Sequence, residues 1–399
     1  MIEKLSIAGI EFPSENLSAL EEFMQKSYEL RRNVLSDKYE LRERSEVTKP
    51  FRPVTKEAIN SIIRRVKREL GDDTGLKTAI EEIIYSEETL EYDPITHYLN
   101  TLPVWDGTDR VRPFFNRLPG LDETQLTCLR TWLRSAVAHW LGIDHLHGNE
   151  NIVTLIGAQG CGKSTFCAQL LPEHLRGYYL DHVNLANKFD KEMALTNNLI
   201  VNIDELDQIK AGKQAELKQM LSKIEINGRP IFGKVQRNRR RFASFVATTN
   251  NPRPLNDPTG SRRYLCVEIP RDSLIDTISP IDYDQLYAQV LYEVNDLKLP
   301  YWFSNAEVRA IEQHNISYQH VNDLESMLTT CFRRPETNES VLPMLARDVV
   351  NVLAKTFPEV QRTQGMCVKV GRMLKALNYE KKDLVQGSAY YIVPVGKAA

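Results

Sequence analysis

No run of apolar residues in the sequence approaches the ~20 that a helix needs to cross a bilayer, so neither a membrane span nor a membrane partner is expected. The opening stretch from Met1 to Phe12 alternates apolar and polar side chains and lacks the apolar centre and small-residue cleavage site of a secretory signal. A cytoplasmic location is the corresponding expectation. The six cysteines, Cys128, Cys161, Cys167, Cys266, Cys331 and Cys367, form no C-x-x-C pair and have no histidine cluster at zinc spacing. That pattern excludes a zinc module and reads as buried thiols. Excess positive charge is missing too. A formal net charge of −2 rules out a generally basic surface, so any contact with nucleic acid must come from locally concentrated charge. There is no internal repeat and no low-complexity tract.

Hydrophobic residues at 42% and charged residues at 26% fit an ordered soluble chain, and 399 residues exceed one ordinary domain. Residues 1–92 read as a mixed α+β domain and 93–148 as a helical collar. Residues 149–325 read as an α/β core with a central parallel sheet and a helical extension, and 326–399 as a winged-helix-like domain. From Thr55 to Leu70, Ile59, Ile62, Ile63 and Val66 recur at helical spacing, with Arg64, Arg65, Lys67 and Arg68 on the other face. A solvated basic face and a DNA-contacting one both fit. Trp132 and Trp140, at helical spacing within Leu126 to Leu141, read as core rather than as base-stacking platforms. The stretch from Leu345 to Val395 reads as helix, helix and a two-stranded ribbon turning at Gln386 to Ser388.

The chemistry concentrates in the middle. Asn151 to Ile156 has the pattern of a buried strand and leads straight into Gly157, Ala158, Gln159, Gly160, Cys161, Gly162, Lys163, Ser164 and Thr165. These residues make a complete G-x-x-x-x-G-K-S/T loop followed by a helical run. Triphosphate oxygens need many donors at short range. Gly157, Gly160 and Gly162 allow the backbone to curl around them with its N–H groups inward, and the helix N-terminus adds partial positive charge. Lys163 supplies a point charge for the β and γ phosphates, and the Ser164 hydroxyl a ligand for Mg²⁺. ATP with Mg²⁺ is the expected pair.

Leu199 to Ile203 is a second buried-strand pattern, and it ends in Asp204 and Glu205. Asp204 is expected to hold hydrated Mg²⁺ and Glu205 to polarise the water that attacks the γ-phosphate. Arg241 to Asn250 is a third strand pattern, whose terminal Asn250 is placed to orient that water. Arg262 and Arg263 follow, directly before another apolar strand, as candidates for the arginine that stabilises charge on the transferred phosphoryl group. One of the two is expected to pair with Asp257 or another carboxylate instead.

This order of parts resembles the compact AAA+ ATPases of the superfamily 3 helicase type and, more narrowly, the virulence-associated protein E family. The matching residues are Trp105-Asp106-Gly107, the loop from Gly157 to Ser164, Asp204-Glu205-Leu206, and Asp257 to Tyr264 as D-x-T-G-x-R-R-F/Y. Glu216 to Ser222 and Gly228 to Lys234 are similar to the family's lysine helix and R-P-x-F/Y-G segment, so the match runs from about Asp93 to Pro270. The resemblance implies a P-loop AAA+ core, a homo-oligomeric ring with a hexamer favoured, and ATP-driven helicase action in phage or mobile-element replication. The first ninety residues offer no paired-carboxylate site of the primase that often accompanies such motors, so a separate primase is the expected partner.

Lys234 to Arg241 carries five positive charges in eight residues, with Asn238 available for a tight turn between two strand-like runs. The resemblance implies a hairpin that tracks single-stranded or forked DNA, with Lys234, Arg237 and Arg239 as its contacts and Arg240 or Arg241 facing a neighbour's ATP. A solvated charge run that protects an edge hairpin is the plainer reading. The functional alternative is a regulatory or defence-associated ATPase that acts on protein partners without unwinding DNA.

Overall fold

A computed structural model describes residues 6–7, 10–11, 14–71, 74–144, 149–184, 187–209, 211–228, 237–255, 261–319, 323–336, 339–357, 360–385 and 387–395. Helix α1 (Ser14–Ser27) leads into a four-stranded sheet of β1 (Tyr28–Asn33), β2 (Lys38–Glu43), β3 (Arg52–Pro53) and, after helices α2 (Lys56–Glu69) and α3 (Leu76–Ile84), β4 (Glu91–Tyr92). The spatial order is β3-β2-β1-β4. Helix α2 starts where the Thr55 side chain accepts from the Ala58 amide at 3.2 Å. It buries Ile59, Ile62 and Val66 against α1 and α3 and leaves Arg64, Lys67 and Arg68 in solvent.

This N-terminal layer is continuous with the central part of the chain. Leu35, in the β1–β2 turn, is fully buried in the same apolar cluster as Trp132 and Val153, and Asn33 Nδ2 donates to the Tyr178 hydroxyl at 2.8 Å. Met1–Tyr318 accordingly forms one compact unit and Gln319–Ala399 a second. Among the described residues no helix is long and apolar enough to cross a membrane.

Helices α4 (Pro94–Asn100), α5 (Val111–Phe115) and α6 (Glu123–Leu141) come next. A capping box between Asp122 and Gln125 opens α6, and Gly142 at φ 71° closes it. Trp132 and Trp140 are fully buried. Their indole N–H groups donate to the carbonyls of Asn151 (3.1 Å) and Leu199 (3.4 Å), each just ahead of a central strand, so one helix aligns two strands.

The central sheet is built from β5 (Ile152–Ile156), β6 (Tyr179–Leu180), β7 (Ile200–Asp204), β10 (Ser244–Thr249) and β11 (Tyr264–Glu268). Helices α7 (Lys163–Ala168), α8 (Lys188–Asn197) and α9 (Ala211–Leu221), and a hairpin of β8 (Glu225–Gly228) and β9 (Arg237–Arg240), lie between them in sequence. Helices α10 (Tyr283–Asn295) and α11 (Asn305–His314) follow. The five strands are parallel, in the order β11-β5-β10-β7-β6. Both faces are covered, which is why these strands read as continuous apolar runs rather than as alternation.

The hairpin departs from expectation. Asn238 is not its turn: it pairs with Asn227 inside the ladder, because the register is built around the buried Ile226 opposite Arg239. Residues 229–236, Lys234 among them, and the side chain of Arg237 lie outside the described residues. Arg241 does not face a phosphate either. It is fully buried and donates to the carbonyls of Ala243 (2.8 Å), Lys223 (3.0 Å), Asn149 (3.1 Å) and Leu221. Two of these acceptors lie at the C-terminus of α9, where carbonyls lack helical partners and favour a cation. Burial pulls the guanidinium pKa down to about 9.

In the second unit, α12 (Asp323–Cys331), β12 (Phe332–Arg333), β13 (Met344–Leu345), α13 (Ala346–Thr356) and α14 (Gln364–Ala376) precede β14 (Lys381–Leu384), β15 (Gly387–Tyr390) and β16 (Val393–Pro394). β15 is the centre of a three-stranded antiparallel sheet, and Val349, Val350, Leu353, Val370, Leu374 and Ile392 form the core.

Two outcomes follow for stability. Arg241→Met leaves four carbonyls, three of them buried, without their donor and should cost about 3 kcal/mol or more in urea unfolding. His139, 2% exposed, has its pKa pushed well below the usual histidine value by burial and then by Arg241 and Arg240. Below about pH 6.5 the unfolded chain therefore takes up a proton that the fold refuses, so stability falls as pH drops, by up to ~1.4 kcal/mol per unit. His139→Asn should flatten that slope in urea titrations between pH 7 and 5.

Candidate functional site

At the C-terminal end of β5 the chain enters the glycine-rich loop. Gly160 (φ 82°) and Gly162 (φ 98°) take left-handed conformations that side chains resist, and the Gly157 amide donates to the Thr249 carbonyl at 3.2 Å, tying the loop to β10. Lys163, the first residue of α7, is 8% exposed. Its ammonium donates to the carbonyls of Gly157 and Ala158, both at 2.8 Å, and to Asn250 Oδ1 at 2.9 Å. Cys161 is buried beneath the loop, with Sγ 3.9 Å from the same ammonium.

The sheet order brings the remaining polar groups to this point. β10 is inserted between β5 and β7, with Thr249 level with Ile156 on one side and Thr248 level with Asp204 on the other. Thr248 Oγ1 donates to Asp204 Oδ1 at 2.6 Å, and Thr249 Oγ1 to Asp207 Oδ1 at 2.6 Å. Beneath them the fully buried Asn202 donates to Asp181 Oδ1 (3.4 Å) and Thr248 Oγ1 (3.5 Å). Glu205 turns the strand end in a left-handed conformation, φ 51°, uncommon for a residue with a side chain. An open cleft of about 370 Å³ results, lined by Gln159, Ser164 and Thr165 together with Asp204, Glu205 and Asn250. Its size suits a small-molecule ligand. Asn202 and Asp207 escaped the reading of the sequence. A lone asparagine inside the apolar run Ile200 to Ile203 was the available signal, since a buried amide needs partners.

Arg262 and Arg263 are not brought to this cleft. They precede β11, whose first residue is level with Ile152, so they lie at the opposite edge of the sheet, roughly 15 Å away along the strands. Arg263 is paired with Glu150 (3.2 Å), while the Arg262 side chain is exposed. Both line a groove with Tyr301, Trp302 and Phe303. Asp257 lies outside the described residues. Arg239 is turned inward, donating to Asn197 Oδ1 at 2.9 Å and the Leu35 carbonyl at 3.2 Å, which removes it from the exposed face of the hairpin. Arg240 likewise donates to the Trp140 carbonyl at 2.6 Å.

The Trp105-Asp106-Gly107 run docks on α10. The Asp106 amide donates to Gln285 Oε1 at 2.9 Å, and the Trp105 ring lies 5.1 Å from that of Tyr292.

The family described as Virulence-associated protein E-like domain matches residues 99–320, more than half of the chain. Solved structures that are similar include "The apo structure of NrS-1 C terminal region (305-718)", at 13% identity over 96% of this chain and 100% of that one, TM-score 0.48. An A form apo structure of the same NrS-1 region is similar at 13% identity over 94% and 99%, TM-score 0.46. No curated protein matches the chain.

The two left-handed glycines should respond differently to alanine. A Cβ at Gly160 meets nothing within 4 Å, so only backbone strain of about 1–2 kcal/mol is expected. At Gly162 it would also stand 3.3 Å from Thr277 Cγ2 and 3.4 Å from Ile275 Cβ, so Gly162→Ala should lower the melting temperature further than Gly160→Ala.

Proposed function

The chain belongs to the virulence-associated protein E-like family, and on that premise we propose that it is an ATP-hydrolysing, oligomeric DNA helicase or translocase of a phage or mobile-element replication system. In this reading Met1–Tyr318 contains a P-loop AAA+ core and the C-terminal unit is winged-helix-like. The observation that carries it is the 2.9 Å contact between Lys163 Nζ and Asn250 Oδ1, made across a cleft that Asp204 and Glu205 also line.

The loop amides and Lys163 would bind the β and γ phosphates. All three ammonium donors are already engaged, so Lys163 exchanges at least one of its present partners when it binds phosphate. Among the described residues no cluster of three or more His, Cys, Asp or Glu side chains could hold a metal. Ser164 and Asp204 offer one hydroxyl and one carboxylate oxygen donor in the cleft, a set that fits an ion arriving with phosphate oxygens and water, as Mg²⁺ does. When bound, Mg²⁺ neutralises charge on the phosphate oxygens. Thr248 holds the Asp204 carboxylate in place by its 2.6 Å hydrogen bond. Glu205 takes the proton of the attacking water as its oxygen bonds to the γ-phosphorus and the bond to the β–γ bridging oxygen breaks, leaving ADP and inorganic phosphate. Asn250 orients that water.

A further cationic side chain is needed for the developing charge, and among the described residues lining the cleft Lys163 is the sole one. Arg262, exposed on the opposite edge, is the group that an adjoining copy would present, with Arg263 anchored by Glu150 beside it. A closed ring of copies, a hexamer in the favoured form, satisfies every cleft in this way. On the hairpin, Lys234 and Arg237 remain the proposed contacts to single-stranded or forked DNA, with Arg239 bracing its base. A separate primase would complete the system.

ATP hydrolysis by the purified chain, with and without forked DNA, tests the reading. DNA should stimulate turnover, Lys163→Ala should abolish it, and Glu205→Gln should lower it by roughly 10²–10⁴-fold. Arg262→Ala should lose roughly 10³-fold and recover in part when mixed with Lys163→Ala, because each variant then supplies what the other lacks. Hydrolysis indifferent to DNA would favour the regulatory or defence-associated ATPase acting on protein partners. A chain that stays monomeric under all nucleotide conditions would sink the proposal.

A further inference from the structure

Counted across the sheet, β5 has β10 and β7 on one side and β11 on the other. Asn250 and Asp204, at the ends of β10 and β7, mark the side of the loop where a γ-phosphate belongs. A nucleotide lying along the loop in that direction carries its base the other way, toward β11 and the segment after it. That segment, residues 270–279, is a strap lying directly on the loop. The Ile275 amide donates to the Cys161 carbonyl at 2.9 Å, and a Cβ on Gly162 would stand 3.3 Å from Thr277 Cγ2.

Two large aliphatic side chains on the strap stand in solvent, Leu274 at 75% exposure and Ile278 at 93%. Isolated exposed aliphatics are ordinary, but these belong to one segment that hydrogen bonds hold to the loop, to Arg117 and to Gln169. The Asp276 carboxylate accepts from the Ile278 and Ser279 amides, both at 3.0 Å. The Asp276 amide donates to the Arg117 carbonyl at 3.2 Å, and Gln169 Nε2 donates to the Thr277 carbonyl at 2.9 Å. These bonds occupy the amides of Ile275, Asp276, Ile278 and Ser279, so at those positions the strap has no backbone donor left for the edge of a base.

We infer that Leu274 and Ile278 form the seat of the nucleobase, gripping it by apolar contact without reading its hydrogen-bonding edge. Resting on the nucleotide reading above, this assigns the site's ligand class as nucleoside triphosphates at large, with adenine and guanine treated alike by the strap.

Calorimetric titration of the full chain with ATP, GTP and inorganic triphosphate tests it, comparing the parent with a Leu274→Ser, Ile278→Ser double variant. Both side chains are exposed, so the variant should fold, and a thermal melt verifies that. ATP and GTP should each weaken by about tenfold and by the same factor, while inorganic triphosphate binds as before. Unchanged nucleotide affinity overturns the seat. So does a loss shared by inorganic triphosphate, which would mean that the loop was disturbed. A loss confined to one of the two nucleotides overturns the claim that the edge goes unread. A parent that binds neither ATP nor inorganic triphosphate fails the nucleotide reading itself, and the first titration separates that result from the others.

Discussion

A lysine that is 8% exposed persists inside a protein only when its ammonium donors have acceptors, and the site is arranged around meeting that demand for Lys163. Two acceptors come from its own loop, whose carbonyls reach inward because Gly160 and Gly162 adopt left-handed conformations. The third comes from Asn250, far away in sequence, and its presence depends on β10 lying beside β5. The same insertion sets Thr248 level with Asp204 and lets the threonine hydroxyl hold the carboxylate. If β7 rather than β10 lay against β5, the lysine would lose its side-chain acceptor and Asp204 would lose its donor on one flank.

The sheet order in turn depends on contacts remote from the cleft. α6 fastens the starts of β5 and β7 through the indoles of Trp132 and Trp140. Arg241 holds the approach to β10 against the end of α9 through carbonyl acceptors. The molecule thus buries two cations in contrasting ways. Arg241 is locked among carbonyls in a dry interior, with nothing to exchange. Lys163 is paired with carbonyls and an amide at the rim of an open cleft, where a better acceptor can replace them. A cation of the second kind is suited to binding an anion, and one of the first kind to holding a fold.

Local pattern made much of this legible. The buried strands ending at Ile156, Asp204 and Thr249 stood out as apolar runs, and the glycine spacing of the loop announced its curl. The helix bearing Ile59, Ile62 and Val66 was evident from its period, as were the buried tryptophans of α6. Within the basic run from Lys234 to Arg241 the anchoring of each arginine is not legible, because charge density in a sequence says nothing about where a side chain is held. Of its arginines, Arg239 and Arg240 turn inward and Arg241 is sealed in. Asn238 looked like a turn residue and became a ladder residue, because register answers to the burial of Ile226 on the facing strand.

Short-range chemistry, readable within ten or so residues, determined which segments would be strands, where the loop would curl, and which polar residues would stand at strand ends. Tertiary structure alone decided which strand lies beside which, and so which strand ends meet. It joined Asn250 to Lys163, set Arg262 and Arg263 at the opposite edge from the loop, and laid the 270–279 strap against Gly162. The physical reason is that a parallel sheet is assembled by crossovers whose landing side is chosen by packing over the whole core, a sum of many weak contacts that no local window of sequence contains.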